Sequence, residues 1–411
     1  MEKSLQLSEA LLKVFPHAPT DDQRRFISQF GEFLVSERRI FLLKGYAGTG
    51  KTRLLRSIAA LFDKQNQPLI LLAPTGRAAK VISESSGKQA STIHRHIYIP
   101  MQSGDGIPGF ALRPNRLKNA LFVVDEASMV GNVQHDLFGQ NLLEDLIRFV
   151  FENPGNNKLL LIGDKAQLPP VGAEMSPALD PEYFYRAYGL ESFQVELKQV
   201  VRQTSESGIL HNATYLRSHL SEHEPLIFQA AKDFAALFDG LEVQEAVQEA
   251  FQSEHLGESL YIVRSNKRAN AVNQAIRATV LYRENELEQG DHLMVTRNNY
   301  FWLDARKQGF IANGDQLEVI RIHEQTERHG FRYAKATLLI GLPEGSFEFD
   351  AWIHLDSLML DAPSFPQAKL RQLYLDVQED YRHLPSSKRK AEALKDPFLQ
   401  ALQVKFAYAV T

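Results

Sequence analysis

Hydrophobic positions along this chain fall into repeating units, each an unbroken apolar run followed by a helix-spaced stretch. Ile40, Phe41, Leu42 and Leu43 form the first run, and beyond a glycine-rich turn Leu54, Leu55, Ile58, Leu61 and Phe62 recur at helical spacing. Residues 68–73 (PLILLA), 121–124 and 158–163 (KLLLIG) repeat the run. Unbroken rather than alternating runs mark strands buried on both faces, so the predicted class is α/β with a parallel sheet. Upstream, residues 1–31 read as two helices around a turn holding Pro16 and Pro19. Residues 97–116 are apolar, aromatic and rich in Gly and Pro, with no room for another α/β unit, which predicts a projecting hairpin.

From about Phe193 the pattern restarts. Residues 195–201 are strand-like, residues 259–263 lead into Arg264-Ser265-Asn266-Lys267, and a helix is expected over 269–280. From Gly290 short alternating strands take over, predicting a small inserted β-barrel. Residues 364–395 are helical and highly charged, which predicts a solvated arm. The final stretch, LQVKFAYAVT, begins a strand and stops inside an apolar pattern, as a shortened chain would. The expected domains are therefore 1–194, with its hairpin at about 97–117; 195–287, the first segment of a second α/β domain; 288–362, the barrel; 363–398, the arm; and 399–411, an incomplete return strand.

Length and composition sharpen this only modestly. A chain of 411 residues, 44% hydrophobic and 23% charged, has room for two to four domains. No apolar run is long enough to span a bilayer, and the acidic, short amphipathic start is no secretory signal. The absence of cysteine excludes disulfides and thiolate metal sites and fits a reducing compartment. The net charge of −4 hides an asymmetry. Residues 1–120 hold 18 Lys and Arg against 9 Asp and Glu, leaving +9 there and −13 in the remainder. A basic first part suggests a local polyanion site, although solvated helix faces give the same count.

The candidate chemistry centres on the turn after residues 40–43. The spacing from Gly45 to Gly50-Lys51-Thr52 fits a phosphate loop. Gly45, Gly48 and Gly50 allow a tight turn whose N–H groups face one concavity, and the following helix N-terminus favours an anion. Lys51 brings charge to the β- and γ-phosphates of ATP, and the Thr52 hydroxyl suits Mg²⁺. The cradle expected to touch the nucleotide comprises Gly45, Tyr46, Ala47, Gly48, Thr49, Gly50, Lys51, Thr52 and Arg53. At the end of the 121–124 run, Asp125 is placed to hold the Mg²⁺ shell and Glu126 to polarise an attacking water. Gln167 follows the 158–163 run and would lie beside the γ-phosphate if the sheet is parallel. Other positions stay open. Thr20 and Gln23 fit a helix-capping box as well as adenine recognition. Thr75, with Arg77 and Lys80 nearby, suits either a phosphate contact or an ordinary helix cap. Thr92 and His94 repeat that choice.

Taken in order, GYAGTGKT, APTGRAAK, STIH, VVDEASM and GDKAQLPPV resemble the successive motifs of superfamily 1 helicases, in the 5′→3′ branch of RecD-like and Dda-like enzymes. The resemblance is firm from Thr20 to about Gln203 and looser through RSNKRANAVN, GDHLMVTRNNY and NGD. It implies two RecA-like P-loop motor domains with ATP between them, and an inserted SH3-like barrel. It assigns Gln23 to adenine, Lys51, Thr52, Asp125 and Glu126 to the roles above, Gln167 to γ-phosphate sensing and Arg202 to an arginine finger. Pro74, Thr75, Arg77, Thr92 and His94 would hold a single strand, joined by Asn266 from the looser region, and the hairpin would be a strand-separating pin. The implied activity is ATP-dependent translocation along single-stranded DNA, 5′→3′, with unwinding of fork DNA by a cytoplasmic monomer, nucleoid-associated if bacterial. The family pattern continues past AYAVT into a HKSQG-like motif and a later arginine motif, which this sequence lacks. A DNA-stimulated ATPase without unwinding is therefore the alternative reading. A P-loop kinase, which has no use for Glu126 beside Asp125, and a binding module using ATP as a clip are the others.

Overall fold

The computed structural model describes residues 2–411 except 103–107, 133–140, 153–154, 168, 171–174, 201–206, 220–224, 253–257, 304–309 and 343–344. The chain divides into two compact units, Met1–Ala236 and Leu237–Thr411.

In the first unit, α1 (Glu2–Val14) and α2 (Asp21–Val35) precede β1 (Ile40–Gly45), α3 (Lys51–Lys64), β2 (Leu69–Ala73) and α4 (Gly76–Ser86). A short β3 (Ala90–Thr92) and α5 (Ile93–Ile97) lead into β4 (Tyr98–Gln102) and β5 (Pro108–Leu112), which pair antiparallel with Tyr98 opposite Leu112. Then come β6 (Leu121–Val124), α6 (Leu142–Phe151), β7 (Lys158–Gly163), α7 (Pro181–Tyr188), β8 (Ser192–Leu197) and α8 (Gly208–Ser218). Six of the strands form one sheet in the order β3-β2-β6-β7-β1-β8, with every pairing parallel.

Alternate residues of each strand feed a separate core on each face. Phe41, Leu43, Val123, Leu160 and Ile162 meet α1–α4, while Leu42, Phe122, Val124, Leu159 and Leu161 meet residues of α5, α6 and α7. The unbroken apolar runs are thus strands covered on both sides. On the first face an aromatic cluster locks α2 down: Phe26, Phe30 and Phe33, three to four residues apart, pack on Phe41 of β1 with ring centroids 5.2, 6.1 and 5.4 Å away. Phe193 of β8 stacks on Phe41 at 5.8 Å.

That cluster corrects the expected boundary at 194/195. Residues 195–197 belong to β8, which runs parallel to β1 with Val195 opposite Leu43, and Val195 and Leu197 are buried in the first core. β8 lies at the edge of the sheet and alternates buried and less buried positions, unlike the unbroken runs of β1, β6 and β7.

In the second unit, α9 (Gly240–Ala250), β9 (Tyr261–Ile262) and α10 (Asn266–Thr279) come first. β10 (His292–Val295), β11 (Gln316–Arg328), β12 (Phe331–Leu342) and β13 (Gly345–His354) follow, then α11 (Gln367–Asp380), α12 (Ser386–Ala393), β14 (Val404–Phe406) and β15 (Ala409–Val410). An antiparallel sheet runs in the order β13-β12-β11-β10-β14, and its two edges meet where Ile353 of β13 bridges Leu402. The terminal apolar stretch therefore splits: β14 completes this sheet, and β15 pairs parallel with β9.

Residues 363–398 are not a solvated arm. Leu373 and Val377, one turn apart on α11, are buried with Phe331, Tyr333, Phe365 and Ala393 in a core of their own. The high charge of these helices masked a narrow apolar stripe. At the base of α10, Asp291 is fully buried and accepts two hydrogen bonds from the Arg277 guanidinium at 3.0 Å, one from Arg283 at 2.6 Å and one from the Tyr408 hydroxyl at 3.1 Å.

Candidate nucleotide site

Ligand crevices in parallel sheets lie outside the carboxyl ends of the strands. β6, β7 and β1 are neighbours in the first sheet, so their carboxyl ends deliver three polar segments to one edge.

From β1 the chain turns through Tyr46, Ala47, Gly48 and Thr49 into α3. A Cβ on Gly45 would stand 2.8 Å from Thr49 Oγ1 and 3.0 Å from Leu197 Cβ, so only glycine permits this closeness. Gly50 caps α3 with φ +93°, a left-handed conformation that glycine adopts without strain. Thr49 is buried and donates its hydroxyl to the Tyr46 carbonyl at 2.7 Å. Lys51 is the first residue of α3, and its ammonium donates to the carbonyls of Gly45 (2.6 Å) and Tyr46 (3.0 Å). Burial lowers its pKa, opposed by Asp164, Glu126 and Asp125. Thr52 is exposed and Arg53 half-buried on the next positions of the helix.

Asp125 and Glu126 follow β6. The Asp125 carboxyl accepts from the Glu126 N–H at 2.9 Å, and burial, then the neighbouring Glu126 charge, push its pKa up to about 6. Glu126 has φ +54°, which for a non-glycine residue costs about 1–3 kcal/mol. Its Oε2 is buried with no hydrogen-bond partner among the described residues. Left-handed backbone and unsatisfied buried polar atoms also occur singly elsewhere in the chain, at Tyr282 and His354 for example, while Glu126 combines the two.

From β7 come Asp164 and Gln167. Asp164 is 4% exposed; its Oδ2 lies 4.0 Å from Lys51 Nζ and its Oδ1 accepts from the Ala166 N–H at 2.8 Å. Gln167 is tied to the Asp125–Glu126 segment, because the Ser128 hydroxyl donates to Gln167 Oε1 at 3.1 Å.

The structure shows the capping-box reading of Gln23 and adds a contact to the phosphate loop. The capping box is present, with Gln23 Oε1 accepting from the Thr20 N–H at 3.0 Å. The same side chain is 2% exposed and donates Nε2 to the Thr49 carbonyl at 3.0 Å, so it braces the phosphate loop.

The other expected residues are more scattered. Arg202 lies outside the described residues. The Thr75 hydroxyl caps α4 by accepting from Ala78, with half-buried Pro74 before it and exposed Arg77 after it. Thr92 is fully buried and caps α5 through Arg95, so its hydroxyl serves the fold; His94 is exposed. Asn266 opens α10 in the second unit and accepts from Lys405 Nζ at 2.7 Å.

Three residues were missed in the sequence. Asp164 and Ser128 sit inside quoted motifs, and their direction into the site depends on the tertiary turn. Arg217, on α8, has its guanidinium carbon 5.2 Å from the centre of the Tyr46 ring. No local pattern marks it, since its position relative to the loop depends on long-range folding.

Residues 19–234 match the family model described as AAA domain. Among curated proteins, the chain is 34% identical over 182 residues to the ATP-dependent RecD2 DNA helicase of Deinococcus radiodurans, covering 44% of this chain and 22% of that protein. It is 29% identical over 203 residues to the ATP-dependent DNA helicase dda of Enterobacteria phage T4, covering 48% of this chain and 42% of that one. The chain thus spans less than half the length of either relative. Among solved structures, that of Pif1 helicase from Candida albicans aligns with TM-score 0.41 and 17% identity, covering 82% of this chain and 79% of that one.

Proposed function

The chain belongs to the AAA-domain family, and on that premise we propose that it is a RecD-like motor of superfamily 1 that hydrolyses ATP to drive movement along single-stranded DNA. The observation that carries this is the convergence at one sheet edge: β6, β7 and β1 are neighbours, Lys51 Nζ lies 4.0 Å from Asp164, and Gln167 accepts from Ser128 of the segment that carries Asp125 and Glu126. Two named relatives are ATP-dependent DNA helicases.

Each residue has a task that its surroundings allow. Lys51 already donates to the loop carbonyls, and a triphosphate would replace them as acceptor while the ammonium keeps its charge. Glu126, with a buried free oxygen, is the group to orient and polarise water. Gln167 links the γ-phosphate side to the Glu126 segment through Ser128. Glu126 beside Asp125 has no use in a small-molecule kinase, which disfavours that alternative.

The residues fit a magnesium ion. Thr52 exposes its hydroxyl in the first turn of α3, and the Asp125 carboxyl lies in the Lys51 field. Bound with ATP, Mg²⁺ would neutralise charge developing on the β- and γ-oxygens.

The finer assignments extend the same proposal. Strand contact through Pro74, Thr75, Arg77, His94 and Asn266 would be to backbone and therefore salt-dependent. The β4–β5 hairpin would act as the pin, the sheet of the second unit as the SH3-like barrel, and Arg202 as the arginine finger. Travel would be 5′→3′, on fork DNA, by a monomer. Melting one base pair costs about 1.4 kcal/mol in stacking, which an ATP cycle exceeds. Direct support requires that Glu126→Gln bind ATP normally and lose about 10²-fold or more in turnover. Turnover unchanged by that substitution would remove the proposal.

A further inference from the structure

Away from the phosphate loop, a concavity of about 410 Å³ opens at the β8 edge of the first sheet. Its lining includes Arg25 of α2, Lys44 of β1, Lys165 after β7, Gln194 and Glu196 of β8, and Lys198. Four cationic side chains line it with one carboxylate, Glu196, and a second, Asp22, stands beside it, accepting from Arg25 and from the N–H groups of Lys198 and Gln199. Arg25 is partly satisfied by Asp22 at 2.9 Å and Lys165 by Glu196 at 3.4 Å. Lys44 differs. It is 7% exposed, yet its ammonium has a neutral amide for a partner, Gln194 Oε1 at 3.3 Å. Among the described residues neither Lys44 nor Lys198 lies within ion-pair distance of a carboxylate.

An ammonium removed from water without an anion is held at a cost that a bound anion would offset. Surface lysines on a solvated face do not have this problem, because water screens them. Burial, with Lys165 nearby, lowers the Lys44 pKa, and Glu196 and Asp180 raise it only in part.

The geometry points to a second phosphate site in this concavity, separate from the phosphate loop, with Lys44 at its base and Arg25, Lys165 and Lys198 around it. It lies close in sequence to the nucleotide site. Lys44 immediately precedes Gly45, and Lys165 lies between Asp164, the Lys51 partner, and Ala166, whose N–H Asp164 caps. A phosphate that draws Lys165 from Glu196 acts on the same short loop that carries Gln167. This inference stands whether or not the chain is a DNA motor.

The phosphate can come from a free polyphosphate or from a nucleic-acid backbone, and the test separates them. The background is Lys51→Ala, which disables the phosphate loop. Equilibrium binding of inorganic pyrophosphate, and separately of a short oligothymidylate, is measured there and again with Lys165→Glu and Lys198→Glu added. Both added changes are at exposed positions, which protects the fold. The expected result is saturable pyrophosphate binding that weakens at least tenfold with the two reversals. Equal reversals at Lys13 and Lys118, also exposed, leave it unchanged. Oligothymidylate that competes with pyrophosphate identifies a strand as the source; pyrophosphate binding alone identifies a free anion. The inference is overturned by absent saturable binding of both probes, or by equal weakening from either pair of reversals.

Discussion

Gln23 donates its side-chain amide to the carbonyl of Thr49 across 3.0 Å, joining the start of α2 to the phosphate loop. The contact joins two elements of the fold itself, so it should be visible in stability as well as in binding. Gln23→Ala leaves the Thr49 carbonyl and the Thr20 N–H without their partners, a loss of about 1–3 kcal/mol. The thermal midpoint of the nucleotide-free protein should fall, and the apparent KM for ATP should rise. Unchanged melting of the nucleotide-free protein would mean that the brace contributes nothing.

Asp125 places a carboxyl in a site that disfavours its charge. Its folded pKa, about 6, lies above the ordinary carboxylate range, so the folded state holds the proton more tightly than the unfolded chain. Stability from this group is present at acid pH and is lost as pH rises from about 4 through 6. At pH 7 without nucleotide, Asp125→Asn should therefore melt at a higher temperature than the parent, and the gap should close below pH 4. The same variant should lose ATP turnover. A parent that is the more stable of the two at pH 7 would reverse the sign and refute the assignment.

Arg217 sits over the Tyr46 ring at 5.2 Å, adding a cation beside the loop. Such a contact contributes about 0.5–1 kcal/mol when partly exposed. Arg217→Ala should weaken nucleotide binding two- to fivefold, and Arg217→Lys should recover part of that. Titration with a fluorescent ATP analogue reads both.

In the second unit, stability should concentrate in the buried Asp291 network. Asp291→Asn leaves Arg277 and Arg283 short of a buried counter-charge, an imbalance that typically costs about 3–5 kcal/mol. Denaturant unfolding followed by Trp302 and Trp352 fluorescence reports on this unit, since both tryptophans lie within it. A shift of less than 1 kcal/mol would show that the network is dispensable.

Where periodicity was strong, the sequence was readable. Residues 40–43, 121–124 and 158–163 announced buried parallel strands because both faces of the sheet are covered, and the segments holding Lys51, Asp125, Glu126 and Gln167 follow their carboxyl ends. β8 alternates, with Phe193, Val195 and Leu197 buried in the first core, and no local pattern assigns such a strand to the sheet before it rather than to a new domain. The buried stripe of Leu373 and Val377 was hidden by surrounding charge. Thr92 shows a different limit: a Thr before a helix reads alike whether its hydroxyl caps the helix or meets a ligand, and only its complete burial decides. The left-handed backbone of Glu126 and the reach of Asp164 toward Lys51 depend on chain closure, which no local pattern encodes.

The central claim is that ATP hydrolysis at the Lys51 site answers to a DNA strand. Phosphate release should be measured with and without oligothymidylate, for the parent chain and for Lys51→Ala. Turnover should rise at least tenfold with the strand, fade with added salt, and vanish in Lys51→Ala while strand binding persists. Turnover by the parent that is the same with and without the strand would contradict it.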